Sequence, residues 1–122
     1  MVTGSCTGLI GQEGRAAYCA SKGALRLFTQ SLAVELAGQG IRVNGVAPAF
    51  VESELGRRGL EMIASRQGIS LGEARARRDA AIPLGRQADA LEVAEAFAYL
   101  ASPASSYVTG TWLDVSGGVV LR

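Results

Sequence analysis

Histidine is missing from this 122-residue chain altogether. That absence excludes Ser-His-Asp or Cys-His nucleophilic hydrolysis within the polypeptide, and it argues against a typical zinc or iron centre. No metal site is expected. Cysteine is scarce: Cys6 and Cys19 make neither a disulfide framework nor a zinc-ligand pattern, so both read as ordinary thiols. Net charge is nearly absent at +1, which gives no electrostatic footprint for nucleic acid or a membrane surface. No apolar run reaches the roughly 18 residues that a spanning helix needs, and no basic stretch leads into an apolar core at the N-terminus. The expectation is a cytoplasmic protein. Lysine is nearly absent too: of 12 basic residues, only Lys22 is not arginine.

What is present is 48% hydrophobic residues, 19% charged residues and 16 glycines, a balance that fits a globular α/β protein rather than disorder. Residues 1–4 read as the end of a strand running into a Gly/Ser-rich loop, 4–15. From Ala16 to Ala37 apolar residues recur at three- and four-residue steps (Leu25, Phe28, Leu32, Leu36), predicting a helix that Gly38 and Gly40 terminate. "IRVNGVAP", 41–48, predicts a buried strand stopped by Pro48. The polar, Arg-rich stretch 49–82 predicts two short helices, the second opened by a capping box at Ser70 and Glu73. A second box, Asp89 with Glu92, predicts a helix through Ala101 with Val93, Ala94, Phe97 and Leu100 on its buried stripe. Ser102-Pro103 ends that helix, and "TWLDVSG", 111–117, is a last strand. Strand–helix–strand–helices–strand argues for a parallel sheet with right-handed crossovers. Three strands are few for such a sheet, which wants helices on both faces and covered edges. Residues 1–122 are therefore expected to be part of one domain.

The opening "TGSCTGLIG" looks at first like a phosphate-binding glycine turn, but Ile10 stands where that turn wants glycine, and the next glycine is Gly11. The chemistry is better sought in "YCASKGAL". Tyr18 and Lys22 are four residues apart at the start of the long helix and share one face. A tyrosine normally titrates near ~10, and a nearby ammonium favours the phenolate and lowers that value. Such a pair can serve as a general acid/base without histidine. Arginine would replace this lysine poorly, because its planar fork is not a compact point charge. The bland alternative is a partly buried tyrosine beside a solvated lysine. Thirteen residues before Tyr18 stands Ser5, in a glycine-flanked loop after a strand, where its hydroxyl could polarise a carbonyl.

Ser5, Tyr18 and Lys22 reproduce the Ser-x12-Tyr-x-x-x-Lys pattern, and with it the chain resembles the short-chain dehydrogenase/reductase family. "GIRVNGVAPAFVESEL", "IPLGR" and "EVAEAFAYLASPASSYVTGTWLDVSGG" continue the resemblance over nearly the whole chain, most loosely at 55–80. It implies the C-terminal half of a Rossmann-type doubly wound parallel sheet, α/β, with three strands and crossover helices. It also implies an NAD- or NADP-dependent oxidoreductase that passes hydride between a nicotinamide and an alcohol or ketone. Tyr18 would exchange the proton with the substrate oxygen, Lys22 would tune Tyr18 and hold the nicotinamide ribose, and Ser5 would orient the carbonyl. Pro48, Ala49, Val51 and Ser53 would pack on the nicotinamide, with the Val51 backbone meeting its carboxamide. Ala49 stands where the family usually has glycine, Ala90 where proline is common, and Ser116 where aspartate is common. The resemblance assigns Asn44 a structural role.

The family's first βαβαβ half, with the true phosphate turn, is expected to precede residue 1, which would leave the fragment alone without turnover. Segment 55–80 matches the substrate-binding lid. Six arginines there face four acids over 54–79, which leaves two readings: an acidic substrate, or a solvated pair of lid helices. Partners implied are a small-molecule alcohol or ketone and further copies of the chain, as a dimer or tetramer through helix 16–37 and the last helix and strand. Neither nucleic acid nor membrane is implied. The alternative function is a non-catalytic product acting as an oligomerisation or interaction module.

Overall fold

The three strands of this chain pair in parallel, in sequence order, in a computed structural model that describes residues 1–121. Strand β1 is Val2–Thr3, β2 is Gly45–Pro48 and β3 is Trp112–Val115. Val2 lies opposite Gly45, and Gly45 in turn opposite Trp112. The regular ladders are shorter than the sequence suggests, because loop contacts take over at their ends. Val43 N–H donates to the Thr109 hydroxyl at 3.1 Å rather than to a strand, so 41–44 enters the sheet without belonging to it.

Helix α1, Ala16–Ala37, connects β1 to β2 with the bounds that its periodicity predicts. Its stop differs in detail. Gly38 keeps right-handed helical angles, and Gly40, at φ 73°, makes the left-handed turn, with Ile41 N–H reaching back to Leu36. The buried line of α1 runs through Thr29 and Ala33, while Phe28 is 54% exposed. Leu25, Leu32 and Leu36 are half-buried. Apolar residues therefore occupy two faces of α1, and only one of them meets the rest of the chain.

Helices α2, Glu54–Gln67, and α3, Leu71–Ala80, form the predicted pair in the Arg-rich stretch. Gly68, left-handed at φ 64°, ends α2, and the pair closes on a small core of Leu60, Ala64 and Ala74 edged by Ile63 and Ile69. At the start of α3, Ser70 Oγ accepts from Glu73 N–H at 3.1 Å, but the Glu73 carboxylate turns to Arg77 instead of returning to Ser70. Only half of that capping box forms. Helix α4, Ala90–Ala101, has the complete box: Asp89 accepts from Leu91 N–H, and Glu92 accepts from Asp89 N–H at 2.8 Å. Leu100 is fully buried and Val93 and Phe97 are half-buried, whereas Ala94 faces solvent and Ala96 takes its place. Burying a leucine this completely is worth roughly 1.5–3 kcal/mol. α4 packs against β2 and β3 and ends at Ser102.

Between α4 and β3, a polar network holds the chain. Arg42 donates to Ser105 Oγ at 2.9 Å and to the Val108 carbonyl at 3.2 Å. Asn44, 1% exposed, donates to the same carbonyl at 2.8 Å and accepts from Thr111 N–H at 3.1 Å. Asn44 is structural, as the resemblance implies. No helix among the described residues is long and apolar enough to cross a membrane.

Candidate active site

Because the three strands are parallel, their carboxyl ends line one edge of the sheet, where open α/β sheets bind ligands. Ser5 leaves the end of β1 in extended conformation and caps a short 3-10 turn, Cys6–Gly8. Its oxygen accepts from Thr7 N–H at 3.3 Å and from the Thr7 hydroxyl at 3.0 Å.

Tyr18 is in the first turn of α1 and 42% exposed. Lys22, one turn on, holds its ammonium 5.7 Å from the Tyr18 ring centroid and donates to the Thr3 carbonyl at 3.2 Å. That bond joins the first turns of α1 to the end of β1, two residues before Ser5. The structure thus gathers Ser5, Tyr18 and Lys22 around the β1 carboxyl end.

The other predicted residues follow β2. Pro48 is its last residue, and Ala49 N–H continues the β2–β3 ladder to the Val115 carbonyl at 3.2 Å. Val51 forms an isolated parallel bridge with Ala88, made by Glu52 N–H to the Ala88 carbonyl and Ala88 N–H to the Phe50 carbonyl, both 2.9 Å. In such a bridge the N–H of Val51 itself points away from Ala88. Ser53 does something the sequence reading omitted: it caps α2, with Oγ accepting from Gly56 N–H at 3.1 Å. Its signal was available, a serine directly before a helical stretch with Glu54 in the first turn.

Electrostatics around this edge are mild. Burial pushes the Cys6 thiol up, and the nearby Asp114 carboxylate adds to the effect, so the cysteine beside Ser5 stays a thiol. Behind the edge, α2 and α3 border a cleft of about 440 Å³ lined by Ser53, Leu60, Leu71, Arg57 and Arg75 among others. Arg57 pairs with Glu54 and Glu61, Arg58 with Glu54, Arg75 with Glu52, and Arg77 with Glu73. Arg78 turns inward, 5.0 Å over the Phe50 ring and 3.1 Å from the Gly56 carbonyl. These contacts favour the solvated, salt-bridged helix pair over an anion-binding cluster.

One site-shaping residue was not foreseen. The indole of Trp112, the chain's single tryptophan, fills space that Gly4, Gly8 and Gly45 leave open. Glycines matched to one distant aromatic side chain cannot be recognised until the strands are assembled.

Known proteins resemble this chain over nearly all of its length. The family model described as Enoyl-(Acyl carrier protein) reductase matches residues 1–120. The 3-oxoacyl-[acyl-carrier-protein] reductase FabG of Vibrio cholerae is 38% identical over 118 residues, 97% of this chain and 44% of the relative. A short chain dehydrogenase family protein from Francisella tularensis superposes with a TM-score of 0.92 at 38% identity, over 97% of this chain and 49% of the other. The F189W actinorhodin polyketide ketoreductase, solved with NADPH, gives a TM-score of 0.92 at 39% identity, over 97% and 46%. The chain spans about half the length of the relatives it matches. It belongs to the short-chain dehydrogenase/reductase family.

Proposed function

We propose that this member of the short-chain dehydrogenase/reductase family contributes the proton-transfer and nicotinamide-facing side of an oxidoreductase acting on an alcohol or ketone. The observation that carries the reading is the convergence of Lys22 on Thr3 and Tyr18 beside Ser5. Ser5, whose oxygen already accepts twice from Thr7, donates its proton to the substrate oxygen and holds the carbonyl in place. Tyr18, exposed at the rim, gives its phenolic proton to that oxygen in reduction and takes it back in oxidation. Lys22 presents its positive charge to the tyrosine and stabilises the negative charge left on the ring oxygen.

The cofactor is NAD or NADP, whose nicotinamide, when bound, supplies or accepts the hydride. Residues after β2 fit its nicotinamide end. The outward Val51 N–H is a donor for a carboxamide, and the half-buried Pro48 and Ala49 offer an apolar wall. Ser53 acts through the α2 cap, which fixes the direction in which this segment leaves the sheet. In this reading Lys22 also holds the ribose of the bound cofactor. The relatives' names support a ketone-bearing substrate, and the cleft between α2 and α3 is the place for its remainder.

A second reading, self-association, rests on the outer face of α1, where Leu27, Phe28 and Val34 are 66%, 54% and 81% exposed. Further copies of the chain would cover that face, and sedimentation of a Phe28→Glu, Val34→Glu variant tests it; unchanged mass would remove the reading. For the catalytic reading, the whole enzyme carrying Tyr18→Phe is assayed beside the native one with reduced nicotinamide and a 3-oxoacyl thioester. Turnover is expected to fall at least a hundredfold with dinucleotide affinity within about twofold, from the usual contribution of a general acid. Full turnover would take Tyr18 out of this role.

A further inference from the structure

Seven glycines of this chain hold positive φ, and Gly4, Gly8 and Gly45 are not among them. Backbone conformation does not require glycine at these three positions. Space does. A Cβ on Gly45 would stand 2.6 Å from Trp112 Nε1, one on Gly8 would stand 3.0 Å from Trp112 Cζ3, and one on Gly4 would enter the six-membered ring. Starting from β3, the indole crosses β2 at Gly45 and ends beneath the segment after β1. Gly4 and Gly8 bracket Ser5, Cys6 and Thr7. Gly8 is also close to α1: the same added Cβ would lie 2.7 Å from the Lys22 carbonyl. Trp112, Gly8 and Lys22 thus form one continuous stack from β3 to α1.

We propose that Trp112 is a positioning residue that sets the Ser5 loop against the α1 turn carrying Lys22 and Tyr18; the inference rests on the catalytic reading above. At Gly4 and Gly8 the ring faces backbone that carries no side chain, so nothing flexible at these two positions can absorb a change in ring size. Trp112 is 8% exposed, and its Nε1–H is buried with no acceptor among the described residues. Leucine or phenylalanine would fill part of this space with no orphaned donor, but neither reaches from β3 past β2 to Gly4 and Gly8. Span, rather than burial alone, distinguishes the indole here. A loop free to settle by an ångström would move the Ser5 hydroxyl relative to the tyrosine, a displacement that costs turnover steeply.

Residue-resolved hydrogen exchange on this chain tests the stack without depending on activity. Gly8 N–H donates to the Ser5 carbonyl and Leu9 N–H to the Cys6 carbonyl, and these amides report the loop. Gly45 N–H to Thr111 and Ala49 N–H to Val115 report the β2–β3 ladder. With Trp112→Leu, and with Gly45→Val and Trp112→Leu together, the loop amides should exchange at least tenfold faster relative to the ladder amides; Trp112→Phe should fall between. Acceleration of all four by the same factor, or none, would show a merely structural role and overturn the proposal. Gly8→Ala keeps the tryptophan and serves if the leucine variants do not fold: its wedge between ring and Lys22 should give the same local signature, and a uniform change overturns the proposal equally. In the whole enzyme, Trp112→Leu should lower kcat at least tenfold with KM within twofold; an unchanged kcat overturns it. Ser5→Ala separates the two readings. If Ser5→Ala retains full turnover, the catalytic reading fails and with it the significance of the stack. If Ser5→Ala is inactive while the exchange is uniform, the positioning proposal fails alone.

Discussion

The Lys22 ammonium donates to the Thr3 carbonyl at 3.2 Å, and Thr3 is the last residue of the strand that delivers Ser5. One side chain thereby ties the helix bearing Tyr18 to the loop bearing the serine. Arginine, the chain's habitual cation, would not reproduce it: its fork directs donors in a plane, whereas the ammonium can serve the carbonyl and face the Tyr18 ring together. The site is accordingly where the only lysine stands.

Lys22→Met should separate function from stability. The Thr3 carbonyl is at an exposed residue and water can replace the donor, so the loss in unfolding free energy should be about 0.5–1 kcal/mol by urea titration of this chain. A loss above 3 kcal/mol would make Lys22 a structural keystone rather than a participant in the chemistry.

Asn44→Ala should cost more, because Asn44 is buried and hydrogen-bonded on both its amide atoms. Its removal leaves Thr111 N–H without its acceptor and the Val108 carbonyl with Arg42 as its remaining side-chain donor. A loss of about 2–3 kcal/mol is expected in the same titration. Values near zero would mean that water takes the amide's place.

Acid should weaken the start of α4. The paired Arg86 guanidinium, followed by the Asp89 N–H, holds Glu92 at about 2, below its ordinary 4.5. A carboxylate depressed in the folded state contributes stability above its unfolded value, and that contribution fades as pH falls from 4.5 towards about 2. Glu92→Gln keeps an acceptor for Asp89 N–H and loses the charge. Native and variant melting temperatures should differ at pH 7, native higher, and converge near pH 2. A gap that persists at pH 2 would assign the difference to the cap geometry.

Local rules account for what was legible in the sequence. The α1 bounds, the box at Asp89 and Glu92, and the order of strands and helices follow from periodicity, caps and glycine stops, all of which act within a few residues. The half-formed box at Ser70 was illegible because Glu73 had a competing partner one turn away in Arg77. The exposure of Phe28 was illegible because both faces of α1 carry apolar residues, and periodicity cannot say which face the rest of the chain covers.

The sequence by itself carried the candidate groups: Ser5, Tyr18 and Lys22 stand at a spacing that resembles the short-chain dehydrogenase/reductase pattern, and the later motifs extend that resemblance over the chain. Tertiary structure alone decided how those groups are held. That Lys22 reaches Thr3 and that Trp112 lies under Gly4 and Gly8 depend on segments up to about a hundred residues apart meeting at one sheet edge. Caps and periods are encoded locally; the contact of a ring with a distant glycine exists only once the strands between them have paired.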